Sequence, residues 1–198
     1  MLRTSSSDFF RQSLVGLKVL LVMTVLLGVV YPAVVWGVGR VALHDRAAGQ
    51  IVSAEGRPTG SAIIGQDFPV EDAEWFHGRP SAPGYNGLAS AASNLGPSNP
   101  DLLATIRERR AAIAAVDGVP VGDVPADAVT ASASGLDPYI SPDYAAIQVA
   151  RVATARALAP VVVRSLVDDA TYGRQLGFLG QPKVNVLELN LALERLRG

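Results

Sequence analysis

Between Val19 and Gly39 the chain runs for 21 residues without a charge, most of them Val and Leu. Wound as an α-helix at about 1.5 Å per residue, such a run covers roughly 30 Å, the hydrocarbon thickness of a bilayer. A helix of this length inside a globular core is rare without a polar face. A cleaved signal peptide has a shorter apolar region of about 7–15 residues, closed by a small-residue cleavage site. Here Val34-Val35-Trp36-Gly37-Val38-Gly39-Arg40 closes the run without such a site. Tyr31 and Trp36 suit the aromatic belt of a membrane interface. The sequence therefore predicts an uncleaved single-pass anchor over residues 14–39, kinked at Pro32, with Thr24, Gly28 and Gly37 small enough for close helix approach. Generic lipid contact is the plainer reading of those three.

Orientation follows from charge. Arg3, Arg11 and Lys18 precede the run and are opposed only by Asp8, whereas Arg40 and Arg46 beyond it are balanced by Asp45 and Glu55. The positive-inside bias predicts a cytoplasmic tail over 1–13 and an extracytoplasmic globular domain over 40–198. Past residue 40 the chain keeps 13 basic and 17 acidic side chains. Nucleic-acid phosphates need a basic patch, so that class of partner is set aside. With no cysteine and only His44 and His77, thiolate and imidazole metal sites are disfavoured as well.

Residues 46–98 are dense in Gly, Pro, Ser and Asn. A short strand region is expected at Gly60–Phe68, centred on Ala62, Ile63 and Ile64, followed by ordered loops. Asn99 as N-cap and Pro100 at the first helical position start a helix. Its apolar side is Leu102, Leu103, Ile106, Ile113 and Val116, with Arg107–Arg110 as a mainly solvated face. Ser141 and Pro142 start another helix, expected to reach Leu158 with Tyr144, Ile147, Val152 and Ala155 inward. A short helix follows from Pro160 to Val167. A last one follows Asn185, where Glu188 completes a capping-box pattern. Alternation at Leu187, Leu189, Leu191 and Leu193 keeps strand open there, although Leu, Ala, Glu and Arg favour helix. The fold class is thus α+β: one N-terminal transmembrane helix plus a single small globular domain with a short strand region and about four helices.

Catalytic patterns are missing. There is no G-x-S-x-G turn and no phosphate-binding G-x-x-x-x-G-K-[ST] loop. His77, beside Trp75 and Phe76, reads as structural rather than as a general base. Adjacent carboxylates at Glu71/Asp72 and Asp168/Asp169 point to different sides of the chain. The chain is not expected to be an enzyme. Two loops rich in small polar residues remain, Ser90–Pro100 and Val129–Pro142, able to dock a partner or hold a small polar ligand. Their candidates for nucleotide or partner contact are Ser93, Asn94, Ser98, Asn99, Ser134 and Asp137. Tight structural packing is the competing reading.

Five segments then occur in order: Gly60–Phe68, Trp75–Ala82, Ser93–Pro100, Val129–Pro142 and Gly180–Leu187, the last extended by Leu189-Asn190-Leu191-Ala192-Leu193. Behind one transmembrane helix, this order resembles the C-subunit (KdpC) family of Kdp potassium-transporting P-type ATPases, over roughly residues 14–196. One departure is Ser90-Ala91-Ala92-Ser93, where the family usually has Ser-Gly-Gly-Ser. The resemblance implies an accessory subunit of a high-affinity potassium uptake pump in the bacterial inner (cell) membrane. Its implied partners are a channel-like potassium-selecting subunit, an ATP-hydrolysing P-type subunit and a small stabilising subunit. It also implies a catalytic chaperone that raises the ATP affinity of the hydrolysing subunit, with the serine loop and Gln148 as the positions involved. No tightly bound cofactor is expected, and ATP contact is implied only by the family. An extracytoplasmic domain cannot meet cytosolic ATP, so the expected effect on ATP is indirect. The alternative reading is a membrane-anchored extracytoplasmic solute-binding module.

Overall fold

The structure, a computed structural model, describes residues 6–54 and 56–196. Arg3 and Glu55, both used in the charge balance, lie outside the described residues. The chain divides into two units, residues 1–50 and 51–198.

In the first unit, helix α1 (Ser6–Val25) passes into a π-helical turn at Leu26–Val30 and continues as α2 (Tyr31–Ala42). The cause of the wide turn is Pro32. It has no N–H for the carbonyl four residues back, and its ring would press on that carbonyl. Widening the turn relieves the contact, and the Tyr31 N–H accordingly donates to the carbonyl of Leu26, five residues back. The chain thus accommodates the proline by the π-turn. Asp8–Ala42 forms 35 residues of helix whose most apolar stretch is nowhere buried by the protein. Its length and composition suit a membrane span, with helix to spare at both ends of the expected 14–39. A break at Leu43 leads to the short α3 (His44–Ala47).

The second unit opens with an antiparallel hairpin, β1 (Ile51–Ala54) and β2 (Arg57–Ser61), with a bulge at Val52/Ser53. Strand therefore ends where Gly60–Phe68 was expected to begin it. Ala62 is buried in a turn, while Ile63 and Ile64 are exposed. The reason is that the carbonyl of Ala62 is taken by the Asn185 side chain and the N–H of Gly65 by the Leu136 carbonyl, which leaves no ladder to extend. From 62 to 99 the backbone forms no helix or strand.

Helix α4 (Pro100–Asp117) starts on Asn99, whose Oδ1 accepts from the Asp101 and Leu102 N–H groups, and stops at Gly118 in the left-handed region. It packs through Ala114, Ile106 and Ile113, whereas Leu103 and Val116, expected inward, are exposed. A 3₁₀ turn (Val121–Asp123) leads to α5 (Ala126–Val129) and β3 (Tyr139–Ile140). Helix α6 (Pro142–Ala155), capped by Ser141, forms the centre of the unit and buries Tyr144, Ala145, Gln148, Val149, Val152 and Ala153. It ends three residues before the expected Leu158, and Ala155 is exposed, because Ala157 turns into the left-handed region at φ 53°. Then come α7 (Pro160–Asp169), β4 (Thr171–Tyr172), β5 (Lys183–Asn185) and α8 (Val186–Arg195).

Strand β5 lies between β3 and β4, antiparallel to both, pairing Tyr139 with Asn185 and Thr171 with Val184. The stretch left open to strand or helix, Leu187 to Leu193, is helix throughout, as its composition favoured, and strand is confined to Lys183–Asn185 before it. Val163 and Val167 of α7 and Leu189 and Leu193 of α8 close the core over α6. Fully burying one such leucine contributes about 1.5–3 kcal/mol.

Candidate functional site

The irregular segment 72–78 crosses the helical core, and its backbone polar groups need partners that no strand supplies. Two side-chain amides take that role. Gln148 accepts the His77 N–H at 2.7 Å and donates to the His77 carbonyl at 3.3 Å. Asn190 does the same for Phe76, at 2.9 Å in both directions. Each amide mimics a neighbouring strand, and Phe76 is fully buried as a result.

Arg151, one turn beyond Gln148 on α6, gathers the rest. Its Nε meets Asp117 Oδ1 at 2.7 Å in a buried ion pair. Nη1 donates to the carbonyls of Ala73 and Trp75, both at 2.9 Å. Nη2 reaches Gln148 Oε1 at 2.7 Å and His77 Nδ1 at 3.2 Å. These partners fix the imidazole tautomer. A guanidinium can only donate, so Nδ1 accepts, and the proton sits on Nε2 facing the Asp72 carbonyl at 3.1 Å. Burial, and then the Arg151 charge, lower the His77 pKa to about 4. His77 therefore has no free lone pair for a nucleophile. Burial pushes the Asp117 carboxyl upward, and Arg151 opposes that shift. At the far end Arg156 lies 4.2 Å from the Trp75 ring centroid and donates to the Glu74 carbonyl at 2.7 Å.

The loop candidates are distributed differently. The Ser134 carbonyl accepts from Ser90 Oγ and the Ala91 N–H, both at 3.0 Å, so the two polar loops do meet. Asp137 binds Arg79 at 3.2 Å and the Tyr139 N–H at 3.0 Å. Asn99 is spent on capping α4, while Ser93, Asn94 and Ser98 are exposed, with Asn94 at φ 55°. Gln148 lies apart from all of them and is 0% exposed. Among the described residues neither Ala91 nor Ala92 has a positive φ, so the backbone there tolerates a Cβ. The close approach falls instead on Gly135, at φ 67°, where a Cβ would lie 2.4 Å from Pro83 Cδ and 2.7 Å from the Ala91 carbonyl oxygen.

Sequence reasoning missed the Arg151–Asp117–His77 group. Its signal was available, since Gln148 and Arg151 place polar side chains three apart beside the inward stripe of Tyr144 and Val152. A cavity of about 370 Å³ lies over this group, between α4 and residues 67–85, and none of the seven predicted site residues lines it. Among the described residues no cluster of three His, Asp or Glu side chains is arranged to hold a metal.

With that geometry in place, comparison with known proteins is informative. Residues 13–195 match the family described as KdpC, K+-transporting ATPase, c chain. The potassium-transporting ATPase KdpC subunit of Kineococcus radiotolerans is 56% identical, over 94% of this chain and 95% of its own. That of Methylococcus capsulatus is 50% identical, over 92% and 96%, and that of Mycobacterium tuberculosis 49%, over 94% and 99%.

Proposed function

The chain belongs to the KdpC family, the c chain of potassium-transporting ATPases, and we propose that it stabilises the assembled pump and raises the ATP affinity of the hydrolysing subunit without touching the nucleotide. Membership gives it an accessory role in potassium uptake, and its single apolar helix is compatible with a single-pass membrane protein. Beyond that, the proposed partners are a channel-like potassium-selecting subunit, a P-type ATP-hydrolysing subunit and a small stabilising subunit. The globular unit is assigned to the extracytoplasmic side of the bacterial cell membrane, on the charge bias around the anchor.

The burial of Gln148 carries the indirect version. Both ends of its amide are committed to His77, and Arg151 shares its oxygen. A nucleotide could use it only by dismantling the support of segment 72–78. Control at a distance needs only a preference of this subunit for one conformation of the pump, worth about 1–3 kcal/mol.

Sidedness is the test. Ser165 is exposed on α7 in a chain without cysteine. In Ser165→Cys, a membrane-impermeant thiol reagent applied to intact spheroplasts is expected to label the protein. Protection until the membrane is broken would place the unit in the cytoplasm and reopen direct ATP contact.

A further inference from the structure

The cavity over the Arg151–Asp117 pair has apolar walls, with Phe68 and Val70 on one side and Ile113 and Val116 of α4 on the other. Its floor is polar and incompletely used. Tyr144 lines it and is only 3% exposed, yet its hydroxyl has no hydrogen-bond partner among the described residues. Asp117 also lines it. One of its oxygens binds Arg151, and the other, Oδ2, accepts no hydrogen bond from a described residue. Both oxygens open onto the cavity without a protein partner among the described residues, so they are available to whatever polar group the cavity holds.

Charge decides what fits. An anion would meet the Asp117 carboxylate. A cation would meet the guanidinium groups of Arg79 and Arg109, and Asp67 adds to the carboxylates that an anion would face. A neutral group that can both donate and accept meets neither objection. We propose that the cavity binds an apolar body tipped by one hydroxyl, of which a phenol is the simplest example. The ligand hydroxyl donates to Asp117 Oδ2 and accepts from Tyr144 Oη. The volume of about 370 Å³ exceeds the ~150 Å³ that holds a benzene ring. Two sources supply this chemistry, a free small molecule or a tyrosine side chain of a neighbouring subunit. Buried aromatic anchors of the second kind dominate many protein interfaces. The second source rests on the accessory-subunit reading, whereas the site itself does not.

The experiment uses the full chain in lipid nanodiscs, with p-fluorophenol and p-fluorotoluene observed by fluorine NMR against protein-free discs. Saturable p-fluorophenol binding is expected, about tenfold or more tighter than p-fluorotoluene, because a site built around a hydroxyl rejects the analogue lacking it. Tyr144→Phe removes one oxygen and should erase most of that preference while leaving p-fluorotoluene binding unchanged. Ala112→Trp, an exposed cavity-lining position on α4, should block both probes without unfolding the chain. Binding no greater than to empty discs, or no preference for the phenol, would overturn the proposal. Repeating the titration on the assembled pump separates the sources. Loss of probe binding there assigns the cavity to a partner's side chain, and retention assigns it to a free solute. Failure of the chain to assemble would count against the accessory reading and leave the isolated-chain result standing.

Discussion

Gln148 and His77 show how a single side chain can carry a fold decision. In Gln148→Ala the His77 N–H and carbonyl lose their partner inside the core, and Arg151 loses an acceptor. Each unmatched group costs about 1–3 kcal/mol, so denaturant unfolding should report a loss of roughly 2–4 kcal/mol. Reduced ATP affinity of the pump at unchanged subunit stability would instead indicate direct nucleotide contact. His77 gives the pH dependence. Its folded pKa, about 4, lies below the ordinary 6.5, so the unfolded chain binds the proton more tightly. The stability it contributes is complete above pH 6.5 and is lost as pH falls towards 4, by roughly 3 kcal/mol. Protonation of Asp117, whose pKa burial raises, works the other way and softens the acid limb. His77→Asn should be less stable at neutral pH but show a flatter stability slope between pH 6.5 and 4. An unchanged slope would remove His77 as its source.

At the scale of elements, Asn185 joins two of them. Its Oδ1 caps α8 through the Glu188 N–H at 3.2 Å, while its Nδ2 holds the Ala62 carbonyl at 2.7 Å. Asn185→Ala should therefore cost more than the ~1 kcal/mol of a simple cap, approaching 2–3 kcal/mol. Asn99→Ala, a half-buried cap on α4 with no second partner element among the described residues, should stay near ~1 kcal/mol, and the contrast is measurable by thermal unfolding of both variants. The reciprocal half of the expected capping box is replaced, since Glu188 accepts the Tyr172 hydroxyl at 2.6 Å. Helix starts were legible because caps are local: Asn99-Pro100, Ser141-Pro142 and Asn185 are signals contained in a few residues. The three-stranded sheet was not legible, because strands of two or three residues are shorter than any period that could reveal them. The polar group around Arg151 was hidden for another reason. Apart from Gln148, three positions back, its partners lie 34 to 78 positions away, and no local pattern encodes those pairs. Gly135 belongs to the same class. Gly135→Ala should destabilise the contact between the two polar loops by more than the ~1 kcal/mol of its left-handed backbone, because Pro83 and the Ala91 carbonyl occupy the space.

For the whole molecule, the proposed role requires that an accessory subunit alter ATP affinity without contact with the nucleotide. Linkage meets that requirement without a shared site. If the subunit favours the pump conformation that binds ATP better, then ATP must favour binding of the subunit by the same factor. A coupling of about 1–3 kcal/mol corresponds to roughly 5–150-fold in each direction. The reciprocity is testable on a pump prepared without this chain, by titrating the purified chain back with and without a non-hydrolysable ATP analogue. Its affinity should rise by the factor by which it raises affinity for the analogue, while the isolated chain binds the analogue not at all. Binding by the isolated chain would identify a direct contact. Equal chain affinity with and without the analogue would mean that its contribution is to assembly alone, with the buried amides serving only to keep a loop-rich domain rigid enough to dock.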